Sequence, residues 1–378
     1  MSDPRPVLFV TTEIPPDRVG AFRALSGRVP VEFALFGGGL HATDGVTDHG
    51  LPAREVSQRE IFGLASSGDY RAVVAGTVGR IALPAAWLGA ERARVPFVLW
   101  TALWAHPRSA AHLPGALLLR LLYRRAAAVV TYGSHVSRFA EANGAPASRV
   151  TVAPQAVDQD FWVAGAGGGG ATGYAAGDSA AANASPAAGP ASAVAAPPRF
   201  LFVGRDDPGK GVDTLLAAWD ASGLGADGRA ELRLIGPPAD RAAGRAGVSG
   251  LGSLAPEAVR DEMRAATAVV VPSERTATFR EPWGLVVNEA MHSGALVIAS
   301  NEVGAVAGRL VVDGRTGLVV GEKDVNGLSR SMTSVATAES PRYRGIAAAG
   351  QRAAVHLSQD RWAAAFADAL DVSVASRP

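Results

Sequence analysis

The sequence predicts two doubly wound α/β domains in tandem, and three observations carry the prediction. Short apolar runs recur along the chain, each closed by Gly or a polar loop and followed by a helix-compatible stretch. That is the pattern of buried parallel strands joined by crossover helices. A tract almost wholly of Gly, Ala, Ser and Pro interrupts the alternation once, at 163–198. The length of 378 residues lets each half bury a core of its own.

In the first half, taken as 1–162, VLFV (7–10), VEFALF (31–36), YRAVVAG (70–76), PFVLW (96–100) and AAVVTYG (127–133) read as strands, with a helix opening at 20–25. Ligands of such sheets sit beyond the carboxyl ends of the strands. The polar residues after the runs are therefore candidates: Glu13, Arg18, Thr77, His106 and Ser134. The glycines at 37–39, 63 and 79 read as turn residues. VTVAPQAVDQDFW (150–162) leads out of this domain, and its Asp158 and Asp160 are of a type that binds Mg²⁺ or Mn²⁺ elsewhere, against the simpler reading of a solvated connector. The tract 163–198 has too little bulky apolar content to offset the entropy of ordering and is expected to be a disordered linker or insertion.

The second domain, 199–354, repeats the pattern with RFLFVG (199–204), ELRLIG (231–236), ATAVVVPS (266–273), ALVIAS (295–300) and GLVV (317–320). RWAAAFADAL (361–370), inside a terminal segment at 355–378, has helical period.

Composition narrows the function. With 48% hydrophobic and 19% charged residues and a net charge of +1, the chain suits a soluble globular protein with no general attraction to nucleic acid. The absence of Cys excludes a disulfide framework and a thiolate zinc site. The first apolar run is about four residues, far short of a signal sequence or a membrane span, so the cytoplasm is the expected location. LPGALLLRLLYRRAA (113–127) carries Arg120, Arg124 and Arg125 about one turn apart. It reads first as a core-packed helix with a solvated stripe, and second as a peripheral contact with the anionic inner face of a membrane.

Two motifs carry the chemistry. The first is Gly204-Arg205-x4-Lys210-Gly211, which follows a strand and opens a helix. Arg205 offers a planar fork to two oxygens and Lys210 a point charge. The chain holds only two lysines, Lys210 and Lys323, so a Lys here marks a place that Arg does not fill. The second is TFREPWGLVVNEAMHSG, at 278–294. Pro282 reads as part of a first helical turn, with the amides of Gly284, Leu285 and Val286 free to face an anion. Eight helical residues rise roughly 12 Å, so Glu281 and Glu289 cannot share one proton or one metal and should touch different parts of an elongated ligand.

EPWGLVVNEAMHSGALVIAS resembles the donor-site segment of the retaining glycosyltransferases of family 4, which have the two-domain GT-B fold with the active site between two Rossmann-like domains. The resemblance covers the second domain by motif and the first by architecture. It implies that Glu281 meets the donor sugar, that the amides of Gly284, Leu285 and Val286 meet the diphosphate beside Gly204, and that Glu289 bonds the ribose hydroxyls. Arg205 and Lys210 would stabilise the departing diphosphate while the acceptor hydroxyl attacks from the leaving-group face. A His at the end of a first-domain strand, here His106, would contact the donor sugar, with Gly20 and Arg18 opposite it at the mouth of the cleft. The expected donor is a UDP-sugar or GDP-sugar, used without metal or cofactor. The acceptor is a hydroxyl of a glycan, lipid-linked or small molecule, and the last helix crosses back to the first domain. One departure stands out: the family's Asn-Gly-Val-Asp is here Gln155-Ala156-Val157-Asp158. Two alternatives are a GT-B sugar-nucleotide epimerase and a non-catalytic sugar-nucleotide-binding scaffold. Release of UDP or GDP only on addition of an acceptor separates transfer from the first, and binding without turnover would identify the second.

Overall fold

The structure, a computed structural model, describes residues 3–37, 50–107, 112–163, 197–337 and 341–375. The tract expected to be a linker lies outside the described residues but for its ends, as do two glycines of the 37–39 run.

Seven strands, β1 (Val7–Thr11), β2 (Val31–Leu35), β3 (Ala53–Glu55), β4 (Ala72–Gly76), β5 (Phe97–Thr101), β6 (Ala128–Thr131) and β7 (Val150–Val152), form one parallel sheet in the order β3-β2-β1-β4-β5-β6-β7. Six more, β8 (Arg199–Val203), β9 (Glu231–Ile235), β10 (Val248–Gly252), β11 (Ala268–Val271), β12 (Leu296–Ser300) and β13 (Leu318–Val320), form a second parallel sheet in the order β10-β9-β8-β11-β12-β13. Helices cover both faces of each sheet, which is why strands such as β1, β4 and β11 carry apolar residues at successive rather than alternate positions. Leu8 and Phe9, adjacent in β1, thus enter two different cores. Strand order reverses between β1 and β4 and between β8 and β11. At such a reversal the loops leave the sheet in opposite directions and open a crevice.

The terminal helix, Gln359–Ala375, packs on the first sheet. Trp362, Phe366 and Leu370 are fully buried. The Phe366 ring lies 5.6 Å from Phe9, and the Trp362 ring 5.7 Å from Phe22. Burying each of these side chains contributes roughly 1.5–3 kcal/mol. Gly20 makes the close approach to this helix: a Cβ there would lie 2.1 Å from the Gln359 side chain. Gly20 therefore serves the contact between helices Pro16–Ser26 and Gln359–Ala375 and does not stand at the mouth of the cleft. The helix begins four residues before the expected start at 20, because Pro16 supplies a first-turn residue preset for it.

Candidate active site

A cavity of about 450 Å³ opens between the two sheets at their carboxyl edges. Its walls are the loops after β1 and β4 on one side and those after β8 and β11 on the other, so both reversal points face one space.

Lys210 reaches this space because of two glycines. Gly211 has φ +68°, and a Cβ there would lie 2.0 Å from the Pro272 carbonyl oxygen. A Cβ on Gly209 would lie 2.3 Å from the Phe279 ring. Only a chain without side chains at 209 and 211 passes so close beneath the 272–279 loop. The Glu274 amide then donates to the Gly209 carbonyl at 2.9 Å. Lys210 Nζ lands 2.5 Å from Glu281 Oε2, and Ser273 Oγ donates to the same oxygen at 3.2 Å. Glu281 is buried, yet its charge is met by a cation and a hydroxyl. Arg205 lines the cavity and has no ion pair among the described residues.

Residues 281–283 are not helical, and the helix begins only at Leu285, after Gly284 at φ +84°. Pro282 is therefore outside the first turn. The backbone of these residues is used elsewhere: the Gly304 amide donates to the Glu281 carbonyl at 3.1 Å and the Ala305 amide to the Trp283 carbonyl at 2.9 Å. Gly284, Leu285 and Val286 do line the cavity, at the helix end where the first amides have no intrahelical acceptor.

The first domain holds this segment by its carbonyl groups. Trp104 Nε1 donates to the Glu281 carbonyl at 3.1 Å, and His135 Nε2 to the Pro282 carbonyl at 3.0 Å. A carbonyl only accepts, so the His135 proton is on Nε2. Burial pushes the His135 pKa down to about 4 despite that bond, so the ring is neutral near pH 7. Arg280 stacks on Trp104, 3.3 Å from the ring centroid, and pairs with Glu302 at 2.6 Å. Asn288 Nδ2 donates to the Gln155 carbonyl at 2.7 Å, joining the donor-motif helix to the segment that leaves the first domain.

The expected site residues divide as follows. Arg18, Arg205, Lys210, Glu281, Gly284, Leu285 and Val286 share the cavity, together with Glu13 and Thr77. Gly204 lies behind its lining, its amide bonded to the Ile235 carbonyl at 3.1 Å. Glu289 is half-buried beside the lining, and burial, with the nearby Asp17 carboxylate adding to it, pushes its pKa up to about 8. His106 lines a smaller adjoining pocket of about 120 Å³ with Trp104 and Arg280. Its Nε2 lies 3.1 Å from Asn143 Oδ1 and its ring packs edge-on against Phe139, so it is drawn toward the helix Ser134–Ala142 and away from the large cavity. Ser273 and Trp104 are not among the candidates the sequence offers, and His135 ranks there well below His106. Ser273 had a signal, its place just past the carboxyl end of an apolar run. Asp158 caps the short helix Gln159–Val163, its Oδ1 accepting from the Phe161 amide at 3.1 Å. Among the described residues no three His, Cys, Asp or Glu side chains converge as a metal site.

Residues 197–338 match the family profile described as glycosyl transferases group 1. No curated protein sequence matches the chain. Among solved structures, HepE of Anabaena in complex with UDP and glucose superposes with a TM-score of 0.72 at 18% identity, over 97% of this chain and 99% of that one. Sucrose-phosphate synthase from Thermosynechococcus elongatus gives 0.68 at 16% identity, over 96% and 98%. A trehalose-6-phosphate synthase, studied for glycosyl transfer with retention, gives 0.69 at 12%, over 97% and 98%. At these identities the likeness establishes the fold, two Rossmann-like domains in the GT-B arrangement, over nearly the whole chain. The profile match falls on the second domain, which carries both motifs.

Proposed function

We propose that this protein is a retaining glycosyltransferase that moves a sugar from a nucleoside diphosphate sugar to a hydroxyl acceptor without a metal. The observation that carries the reading is the convergence of Arg205, the Lys210–Glu281–Ser273 cluster and the helix start at Leu285 in one interdomain cavity. Arg205, lacking a protein counter-ion among the described residues, meets the diphosphate with its planar fork, and Lys210 adds a point charge. Charge that develops on the leaving diphosphate is stabilised by groups already in place, which is the role a divalent cation would otherwise fill. Glu281 accepts from Lys210 and Ser273 through Oε2, leaving Oε1 for a sugar hydroxyl. Glu289 is assigned the ribose, since a carboxyl held protonated near neutral pH both donates to and accepts from neighbouring hydroxyls. His106 is left with Asn143 and outside the donor site.

Retention is supported by the likeness to trehalose-6-phosphate synthase, and a uridine nucleotide by the likeness to HepE, whose structure holds UDP. Among the described residues no helix is long and apolar enough to cross a membrane. Helix Leu113–Arg125 nonetheless exposes Leu113, Leu117 and Leu121 beside the exposed Arg120, Arg124 and Arg125. We take that face as a peripheral contact with anionic lipid at the cytoplasmic side, on the acceptor domain. The test is titration with UDP, GDP and their sugars, then transfer assays with and without EDTA. Nucleotide release only with acceptor, unaffected by EDTA, is the expected result. A strict need for Mn²⁺ or Mg²⁺ would refute the metal-free part and turn attention to Asp158 and Asp160.

A further inference from the structure

The segment that carries Glu281 is held from two sides. Within the second domain Lys210 and Ser273 fix the carboxylate, and the Gly304 and Ala305 amides bond the Glu281 and Trp283 carbonyls. The first domain touches each of residues 280–283. Arg280 lies on the Trp104 ring, Trp104 Nε1 donates to the Glu281 carbonyl, and His135 Nε2 donates to the Pro282 carbonyl. The Trp283 ring fits between Gly133 and Gly308, where a Cβ on either glycine would lie 2.8 Å from it. Trp104, His135 and Trp283 stand as a row of rings, with centroids 5.1 and 5.9 Å apart, that crosses from one domain to the other. His135 is 4% exposed, and neither it nor Trp104 lines the large cavity.

We propose that Trp104 and His135 are positioning residues, which set the Glu281 carboxylate against the donor sugar by holding the carbonyl groups of Glu281 and Pro282. The proposal rests on the glycosyltransferase reading and deepens it. Between those two carbonyl groups the only soft torsions are those of Pro282, and the pyrrolidine ring fixes one of them. Two hydrogen bonds therefore suffice to hold both peptide planes, and with them the anchorage of the Glu281 side chain. The Glu281 carbonyl also accepts from the Gly304 amide, whereas the Pro282 carbonyl takes its hydrogen bond from the first domain. His135 acts without charge, since burial holds its ring neutral near pH 7. Position matters here because a displacement of about 1 Å at a reacting group can cost about 100-fold in rate. Through these two side chains the first domain contributes to the donor site without touching the sugar.

The test uses the full chain and needs no acceptor. UDP, GDP, UDP-glucose, UDP-N-acetylglucosamine and GDP-mannose are titrated by calorimetry, and the sugar nucleotide that the parent binds best serves as the probe beside its bare nucleotide. Trp104→Phe removes one N–H and keeps a ring under Arg280, and His135→Phe removes the other. Each should leave affinity for the bare nucleotide within about threefold and lower affinity for the nucleotide sugar about tenfold. His135→Gln, which returns an N–H at similar reach, should restore it. On a Glu281→Ala background neither Phe variant should cost anything further, because the group they position is gone. Trp104→Phe is the milder change, since the Glu281 carbonyl keeps the Gly304 amide, and it carries the test if His135→Phe does not fold. No loss specific to the nucleotide sugar, a loss that His135→Gln repeats, or one that persists in full on Glu281→Ala overturns the proposal. So does a nucleotide-sugar affinity indifferent to Glu281→Ala itself. Failure of the parent protein to bind any nucleoside diphosphate would instead overturn the glycosyltransferase reading.

Discussion

Replacing Lys210 and Arg205 separately by Ala divides transition-state stabilisation from fold stability. On the function proposed above, each change removes charge-assisted contacts to the diphosphate, worth about 2–4 kcal/mol, so turnover should fall roughly 30- to 1,000-fold in both. Their effects on the fold differ. Lys210 is the cation that compensates buried Glu281, with Nζ 2.5 Å from Oε2. Loss of one partner of a fully buried pair costs about 3–5 kcal/mol. Here the Lys210 side chain is 21% exposed and Ser273 still donates to the same oxygen, so about 2 kcal/mol is the reasonable figure. Arg205 has no ion pair among the described residues, so Arg205→Ala should change stability by less than about 0.5 kcal/mol. Adding Glu281→Gln to Lys210→Ala removes the stranded charge and should restore most of the stability and none of the rate. Thermal melting and initial-rate kinetics on the four proteins decide the matter. Near-parental turnover in both single variants would refute the phosphate assignment, and an unchanged melting temperature for Lys210→Ala would refute the compensating role of the pair.

Three further outcomes follow from other parts of the molecule. Because the Glu289 pKa is raised to about 8, the folded state keeps a proton that the unfolded chain loses above about 4.5. Its contribution to stability is therefore intact below that lower value and declines, by up to about 1.4 kcal/mol per pH unit, until pH 8; Glu289→Gln should flatten the slope in pH-dependent denaturation. Gly211→Ala forces a side chain onto a residue at φ +68° and against the Pro272 carbonyl, so it should destabilise by about 2 kcal/mol or more and weaken UDP binding in calorimetry as Lys210 is displaced. Leu117→Glu in the exposed leucine row should reduce co-sedimentation with phosphatidylserine-containing vesicles without changing the melting temperature, and equal binding to neutral vesicles by the parent would refute the electrostatic part.

Strands buried on both faces were legible as unbroken apolar runs, as in residues 7–10 of β1 and 296–299 of β12. The edge strand β3, Ala-Arg-Glu and exposed throughout, was not, since only its backbone pairing to β2 makes it a strand. The convergence of Arg205, Lys210 and Glu281 on one cavity was legible from the motifs that carry them, and the glycine at 211 marked the close passage. The Lys210–Glu281 contact depends on one loop crossing another, which no local spacing encodes. Trp104 and His135 act on backbone carbonyls, which any sequence supplies, so they left no motif. His106 and Gly20 occupied plausible positions in the chain, but tertiary contacts claimed them, Asn143 for one and Gln359 for the other.

The terminal helix also sets a timetable for the protein's making. Trp362, Phe366 and Leu370 complete a core whose other members, Phe9, Phe22 and Trp100, leave the ribosome early. Between the end of the first domain and that helix lie roughly 200 residues, which at about 5–20 residues per second take some 10–40 s to translate. For that interval the nascent first domain lacks the helix that covers its aromatic surface, and exposed apolar surface of this kind favours association with neighbouring chains. The two cores of the second domain draw on residues 200–354, with Val157 and Trp162 added from the earlier part of the chain, and can close before helix Gln359–Ala375 is made. The half that holds the donor motifs is thus ready first, and the cavity acquires its other wall only after the last helix has docked.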